Sequence, residues 1–130
     1  METVTKKKIL VIDDDPAITM VVQSRLKSAN YDVDVAYSGT EGLQKINSHK
    51  PDLVILDVMM DDLTGYEVCA EIKNRFKGPS DLPVIMLTSR VKLIDEKLGL
   101  MCKADAYIRK PYSKELLLPE VEKLLKKAEK

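Results

Sequence analysis

The chain has 130 residues, of which 45% are hydrophobic, and this length suits a single globular domain. Its 21 lysine and arginine residues balance 21 aspartate and glutamate residues, so the net charge favours neither nucleic acid nor a membrane surface as a partner. The N-terminal region leads into a short apolar run that is too brief for a signal peptide or a membrane span. We therefore expect a cytoplasmic protein whose partners are proteins.

Residues that bind zinc or form disulfides are scarce. The chain has two cysteines, Cys69 and Cys102, and a single histidine, His49. Their spacing fits no zinc site. We interpret both cysteines as buried, reduced thiols and His49 as a surface residue at the end of the second helix.

Apolar runs of strand length alternate with helical patterns along the chain. They end at Ile12, Ala36, Leu56, Leu87 and Arg109. Such an alternation predicts repeated βα units and a parallel sheet. The second run alternates valine with Asp32 and Asp34, so we expect it to form an edge strand. The first, third and fourth runs are almost continuously apolar, as is typical of strands that helices cover on both faces.

Local signals mark where three helices begin. Asp15 can cap the first helix, with Pro16 at its first position, and we prefer this role to metal binding. Ser38 and Thr64 each stand three residues before a glutamate, which is the capping-box pattern. Apolar residues at helical spacing should form the buried faces. These are Ile18, Val21, Val22 and Leu26; Leu43 and Ile46; Cys69, Ile72 and Phe76; Val91, Ile94, Leu98 and Met101; and Leu117, Val121 and Leu124.

Five βα units predict an α/β fold, a doubly wound (βα)5 flavodoxin-like sandwich with strand order 2-1-3-4-5. This order places the first and third strands side by side, and ligands bind such sheets where the carboxyl ends of the strands meet. Asp13 and Asp14 follow the first strand, and Asp57 follows the third. We therefore expect these three carboxylates to share one crevice.

Three carboxylates in one crevice predict a site for a hard divalent cation. Oxygen ligands without histidine or cysteine favour Mg²⁺, or Mn²⁺, and Mg²⁺ commonly binds phosphate oxygens as well. A carboxylate in such a site can be the nucleophile that forms an aspartyl phosphate. Lys110, after the fifth strand, and Thr88, at the end of the fourth, would add a positive charge and a hydroxyl donor beside the phosphoryl oxygens.

Four segments at the predicted strand ends carry a resemblance. They are Ile-Leu-Val-Ile-Asp13-Asp14-Asp15-Pro16, Leu-Asp57-Val-Met-Met, Met-Leu-Thr88-Ser89 and Tyr107-Ile-Arg-Lys110-Pro111-Tyr112. In this order they resemble the receiver domain of bacterial two-component response regulators, which share the chemotaxis-receiver fold. The resemblance extends from residue 8 to about residue 126, so residues 1–130 would be one receiver domain.

The resemblance implies a particular role for each residue of the acidic site. Asp57 would accept a phosphoryl group from a phosphohistidine. Asp14, Asp57 and the main-chain carbonyl of Met59 would ligate Mg²⁺, and Asp13 would act through water. Lys110 would contact the phosphoryl oxygens. The chain would be no enzyme beyond catalysing its own phosphorylation and dephosphorylation.

The resemblance also implies a conformational switch and a set of partners. Thr88 and Tyr107 would form the switch pair and change the surface made by the fourth helix, fifth strand and fifth helix. A sensor histidine kinase or a phosphotransfer protein would supply the phosphoryl group to regulate an unknown downstream protein. No nucleic acid or membrane contact is expected. The chain would be a monomer or a weak, phosphorylation-dependent dimer.

Three residues depart from the family pattern. Asp61 stands where proline is usual, and Lys103 stands where glycine is usual. Pro119 lies inside the last helical pattern, where it should kink the helix or delay its start. These departures leave open an alternative, a phosphorylation-independent pseudo-receiver that is a constitutive protein-binding module. A haloacid-dehalogenase-like phosphatase would need a second aspartate where Met59 stands.

Overall fold

A five-stranded parallel sheet with helices on both faces forms the molecule. The computed structural model describes residues 6–57, 64–75, 82–88, 104–109 and 114–128. The strands are β1 (Lys8–Ile12), β2 (Asp32–Ala36), β3 (Leu53–Asp57), β4 (Val84–Thr88) and β5 (Ala106–Arg109). The helices within the described ranges are α1 (Pro16–Ser28), α2 (Gly39–His49), α3 (Gly65–Arg75) and α4 (Lys114–Ala128).

The order of the strands is β2-β1-β3-β4-β5, and all four pairs are parallel. This confirms the predicted flavodoxin-like fold, with β2 as an edge strand. Ile12 at the end of β1 lies opposite Ala36 on one side and Leu56 on the other. The carboxyl ends of β1, β2 and β3 are therefore level with one another.

Alternate residues of the strands pack into two hydrophobic clusters. Val11 faces the cluster that contains Val22 of α1 and Val121 of α4. Ile12 faces the opposite cluster, which contains Ile46 of α2 and Ile72 of α3. Burial of each such side chain contributes roughly 1.5–3 kcal/mol relative to exposure. The two clusters cover both faces of β1, so a ligand can reach this strand only at its ends.

The predicted caps of the first three helices are confirmed. The Asp15 carboxylate accepts a hydrogen bond of 2.9 Å from the Ala17 amide. Ser38 Oγ accepts one of 3.1 Å from the Glu41 amide. At α3 the capping box is reciprocal, because the Thr64 hydroxyl accepts from the Glu67 amide and the Thr64 amide donates to Glu67.

The buried face of α1 differs from the predicted one. Val21 is 46% exposed, so its assignment to the core was wrong. Thr19 is buried in place of Val21, together with Val22 and Leu26. A threonine can occupy this position because its hydroxyl donates 2.9 Å to the Pro16 carbonyl and is not left unsatisfied. Apolar spacing alone therefore missed a polar residue that makes its own hydrogen bond.

The last helix also differs from one of the two outcomes predicted for it. Helix α4 begins at Lys114 and includes Pro119, so Pro119 does not delay its start.

Some predictions fall outside the described residues. These are the predicted helix between β4 and β5, the residues Cys102 and Lys103 that follow it, and Phe76. Cys69 is buried, as expected. Within the described ranges, every helix is too short or too polar to cross a membrane.

Candidate metal and phosphoryl site

The candidate site lies where β1 and β3 end side by side. Asp13 follows β1 directly, and Asp57 is the last residue of β3. The residues before them, Ile12 and Leu56, are partners across the sheet. The parallel register thus brings Asp13 and Asp57 to one crevice, although they are 44 positions apart in the chain.

The carboxylates of Asp13, Asp14 and Asp57 form a cluster. One oxygen from each lies within 4.8 Å of the other two. Asp13 and Asp57 are only 1% and 6% exposed, whereas Asp14 is partly exposed. Negative charges this close repel one another, and a bound cation relieves that repulsion. The described residues therefore bring the three predicted carboxylates together and leave one of them open to solvent.

The donor set of the cluster fits a hard cation. It offers only carboxylate oxygens, which Mg²⁺ prefers. Two oxygens bound directly to one Mg²⁺ at about 2.1 Å lie no more than about 4.2 Å apart. The carboxylate oxygens of the cluster, which all lie within 4.8 Å of one another, are thus close enough to surround a single cation.

The three consecutive aspartates have different surroundings. The Asp13 amide donates to the Ala36 carbonyl at 3.1 Å, and the Asp13 carboxylate accepts from the Asp15 amide at 3.0 Å. The Asp15 carboxylate points instead to the first turn of α1, where it caps the helix. Only Asp13 and Asp14 of this run belong to the cluster, as the sequence predicts.

The other predicted site residues are placed in part or lie outside the described residues. Thr88 is the last residue of β4, and Leu87 before it lies opposite Asp57. The Thr88 backbone thus reaches the same carboxyl end of the sheet, but the Thr88 side chain lies outside the described part of the structure. Tyr107 lies on β5 opposite Met86 and is 37% exposed. Met59, Lys110 and Asp61 are outside the described residues.

A charged network beside β2 was not predicted. Lys45 Nζ donates 2.6 Å to the Val35 carbonyl and lies 3.3 Å from an Asp34 carboxylate oxygen. Its partner Glu41 lies one helical turn earlier, with its carboxylate 3.5 Å away. His49, one turn later, contacts the second oxygen of Asp34 at 2.5 Å. The spacing Glu41, Lys45, His49 along one helix face was the signal available in the sequence.

The network changes the pKa of two of its members. Burial raises the pKa of Asp34, but hydrogen bonds from the Val35 amide and from Lys45 outweigh it, so the pKa lies below its ordinary value of 3.8. Burial lowers the pKa of Lys45, but the carboxylate of Asp34 outweighs burial and the pKa is raised. Both groups are therefore held in their charged forms.

A second network joins the starts of β4 and β5 and was also missed. Lys73 of α3 donates 2.6 Å to the Asp105 carboxylate and 2.9 Å to the Leu82 carbonyl. The same carboxylate oxygen accepts from the Val84 amide at 2.8 Å. The Lys73 side chain is 9% exposed. Its largely buried ammonium therefore connects α3 to both strands at their amino ends, at the end of the sheet opposite the cluster.

Comparison with known proteins gives consistent results. The family model described as response regulator receiver domain matches residues 9–122. The alkaline phosphatase synthesis transcriptional regulatory protein PhoP of Bacillus subtilis (strain 168) is 39% identical over 123 residues, 95% of this chain and 50% of that protein. The chain spans about half the length of the curated relatives it matches.

Two solved structures show the same similarity. A CheY-like response regulator receiver domain protein from Methanospirillum hungatei JF-1 superposes with a TM-score of 0.88 at 30% identity, covering 96% of this chain and 98% of the other. The BeF3-activated N-terminal receiver domain of RstA from Klebsiella pneumoniae gives a TM-score of 0.84 at 29% identity, covering 92% and 98%. Both similarities extend over nearly the whole of each chain.

Proposed function

Because the chain belongs to the family of response regulator receiver domains, we propose that it is a phosphoacceptor switch of a two-component phosphorelay. The proposal rests on one observation, which is that the carboxylates of Asp13, Asp14 and Asp57 cluster at the carboxyl ends of the strands. Asp57 is the phosphoacceptor, since it ends the central strand β3 and its carboxylate belongs to the cluster. The solved RstA receiver, described as BeF3-activated, supports this function by similarity.

Phosphoryl transfer needs little beyond position and charge neutralisation. A carboxylate oxygen of Asp57 attacks phosphorus as the bond from phosphorus to the donor histidine nitrogen breaks, and the imidazole leaves. Asp14, Asp57 and the Met59 carbonyl would hold Mg²⁺, with Asp13 acting through water. Bound Mg²⁺ supplies positive charge to the phosphoryl oxygens. Lys110 supplies a second positive charge.

The switch itself is part of the proposal. Thr88, at the end of β4, and Tyr107, on the neighbouring strand β5, respond to the phosphoryl group. Tyr107 is 37% exposed, and in the proposed switch its ring turns inward on phosphorylation. The surface that changes comprises the predicted helix between β4 and β5, the strand β5 and the last helix, α4. This surface contacts an unknown downstream protein.

The partners and the location follow from the same proposal. The donor is a sensor histidine kinase or a phosphotransfer protein, and the chain acts on no substrate other than its own aspartyl phosphate. It is a monomer or a weak dimer that phosphorylation promotes. A cytoplasmic location is proposed because the PhoP relative is described as a transcriptional regulatory protein.

Incubation with acetyl phosphate and Mg²⁺ tests the phosphoacceptor. Intact-mass spectrometry should find one added phosphoryl group on the wild-type chain and none on Asp57→Asn. Asp15→Asn is the matched control, because it removes a neighbouring aspartate but keeps a good helix cap, and it should still be phosphorylated. Incorporation that survives Asp57→Asn would contradict the assignment of Asp57. No incorporation from acetyl phosphate or a cognate kinase would favour the constitutive binding module instead.

A further inference from the structure

Helix α2 contacts the residue that precedes Asp13 in the chain. A Cβ added at Gly42 would lie 2.4 Å from Cδ1 and 2.9 Å from Cγ1 of Ile12, which is closer than carbon atoms approach. Only glycine therefore lets α2 pack at this depth against the end of β1. Since Ile12 is fully buried, its side chain has little room to yield. The position of α2 and the position of the end of β1 are thus coupled.

The same helix holds the end of β2. Lys45 Nζ donates to the Val35 carbonyl at 2.6 Å. A carboxylate oxygen of Glu41 accepts from the Tyr37 amide at 2.8 Å, and its other oxygen lies 3.5 Å from Lys45 Nζ. Side chains from two turns of α2 therefore form hydrogen bonds with the backbone on both sides of Ala36.

Ala36 is the hydrogen-bond partner of Asp13. Its carbonyl accepts from the Asp13 amide at 3.1 Å. In the described sheet, β2 has a neighbouring strand only on the side of β1, so no further ladder holds its outer edge. The hydrogen bonds from α2 to Val35 and Tyr37 therefore support the backbone around the Ala36 carbonyl from the side away from Asp13.

We propose that Lys45 is a positioning residue for Asp13: it fixes the end of β2, and through Ala36 it fixes the backbone that carries a carboxylate of the metal site. This inference rests on the proposed function, in which the cluster binds Mg²⁺. Groups that orient metal ligands are worth about 10–100-fold in metal affinity. Lys45 contacts no ligand itself and acts through Val35 and Ala36, so the lower end of that range applies.

The direction in which the Mg²⁺ affinity changes when Lys45 is replaced distinguishes a positioning role from a purely electrostatic one. Removing a lysine leaves the acidic cluster with less positive charge nearby, so electrostatics alone would strengthen Mg²⁺ binding or leave it unchanged. Positioning requires the opposite result. Lys45→Met, which keeps the length of the side chain but removes the donor, therefore distinguishes the two causes.

The experiment compares wild type with Lys45→Met, Lys45→Arg and Lys123→Met. Lys123→Met is the matched control, because it removes the same charge from an exposed helix position paired with Glu120 at 3.9 Å. Titration with Mg²⁺ should give an affinity about tenfold weaker for Lys45→Met. Lys45→Arg, which restores a charged donor, and the control should remain close to wild type.

A second readout uses the metal-free protein. Hydrogen exchange of the Asp13 amide, followed by NMR, should be about tenfold faster in Lys45→Met. Exchange of the Ile85 amide in β4 should not change, which separates local loosening from general instability. If Lys45→Met does not fold, Lys45→Gln should change both readouts in the same direction by less.

Two results would overturn the positioning role. One is Mg²⁺ binding by Lys45→Met as tight as, or tighter than, that of wild type. The other is unchanged exchange of the Asp13 amide. Failure of wild type itself to bind Mg²⁺ would instead contradict the proposed function, and the exchange of the Asp13 amide would still decide whether Lys45 positions that backbone.

Discussion

At the scale of the residue, three adjacent aspartates differ because their backbones differ. Asp13 continues the line of β1, is 1% exposed and accepts from the Asp15 amide. Asp15 stands at the helix cap with extended φ and ψ of −96° and 108°, which turns its carboxylate to the Ala17 amide. The proline that follows fixes where the helix begins. Position in the chain therefore separates Asp13 and Asp14, which join the carboxylate cluster, from Asp15, which caps α1.

The charged network of β2 makes a residue-scale prediction about pH. Because the pKa of Asp34 is lowered in the folded chain, its charged form stabilises the fold above its ordinary value of 3.8. That contribution is lost as the pH falls through the lower folded pKa. Asp34→Asn should therefore reduce the free energy of unfolding at pH 7, by less than about 1 kcal/mol because the pair is partly exposed.

Urea unfolding at a series of pH values measures this effect. The difference between wild type and Asp34→Asn should shrink below pH 3.8, where the unfolded-state carboxyl becomes protonated and the wild-type stabilisation is lost. Asp32→Asn is a suitable control, since it changes an aspartate of the same strand. A difference that stays constant through the acid range would show that Asp34 does not act through its charge.

At the scale of the element, α4 is the helix whose sequence conflicts most with its structure. Pro119 is the sixth of its 15 residues and is exposed. A proline there removes one backbone hydrogen bond, and its ring crowds the carbonyl four residues earlier. Leu117, Val121 and Leu124 are buried against the sheet. Packing of this apolar face keeps the helix continuous despite the proline.

Replacement of Pro119 by alanine should stabilise the chain. The helix regains a donor and loses the steric conflict, and the gain should be about 1–3 kcal/mol. The free energy of unfolding in urea measures it. Lys123→Ala, another exposed substitution in α4, should change it by less than about 0.5 kcal/mol. A loss of stability in Pro119→Ala would mean that proline contributes through the unfolded chain.

At the scale of the whole molecule, most of the architecture follows from the sequence. Continuous apolar runs predicted the buried strands, alternation with Asp32 and Asp34 predicted the edge strand β2, and the strand ends predicted the acidic cluster. These signals are strong because each is local or depends only on the parallel order of strands. Asp14 and Asp57 could thus be brought together without any coordinates.

The remaining features depend on contacts that local patterns do not contain. Thr19 replaces Val21 in the core because a hydroxyl finds the Pro16 carbonyl. Lys45 reaches a carbonyl on another element, and Lys73 reaches Asp105 across 32 positions of the chain. Long polar side chains can reach several acceptors, and only the packed positions of helix and sheet select one. Such contacts require the structure.

In the proposed function, Asp57 carries a phosphoryl group whose formation depends on Mg²⁺. Peptide mapping of the chain after incubation with acetyl phosphate tests it most directly, once with Mg²⁺ and once with a chelator in its place. We expect one phosphorylated peptide, the one that contains Asp57, and its loss with the chelator. A phosphoryl group on another residue, or equal labelling of Asp57 without a divalent cation, would rule out this role of Asp57.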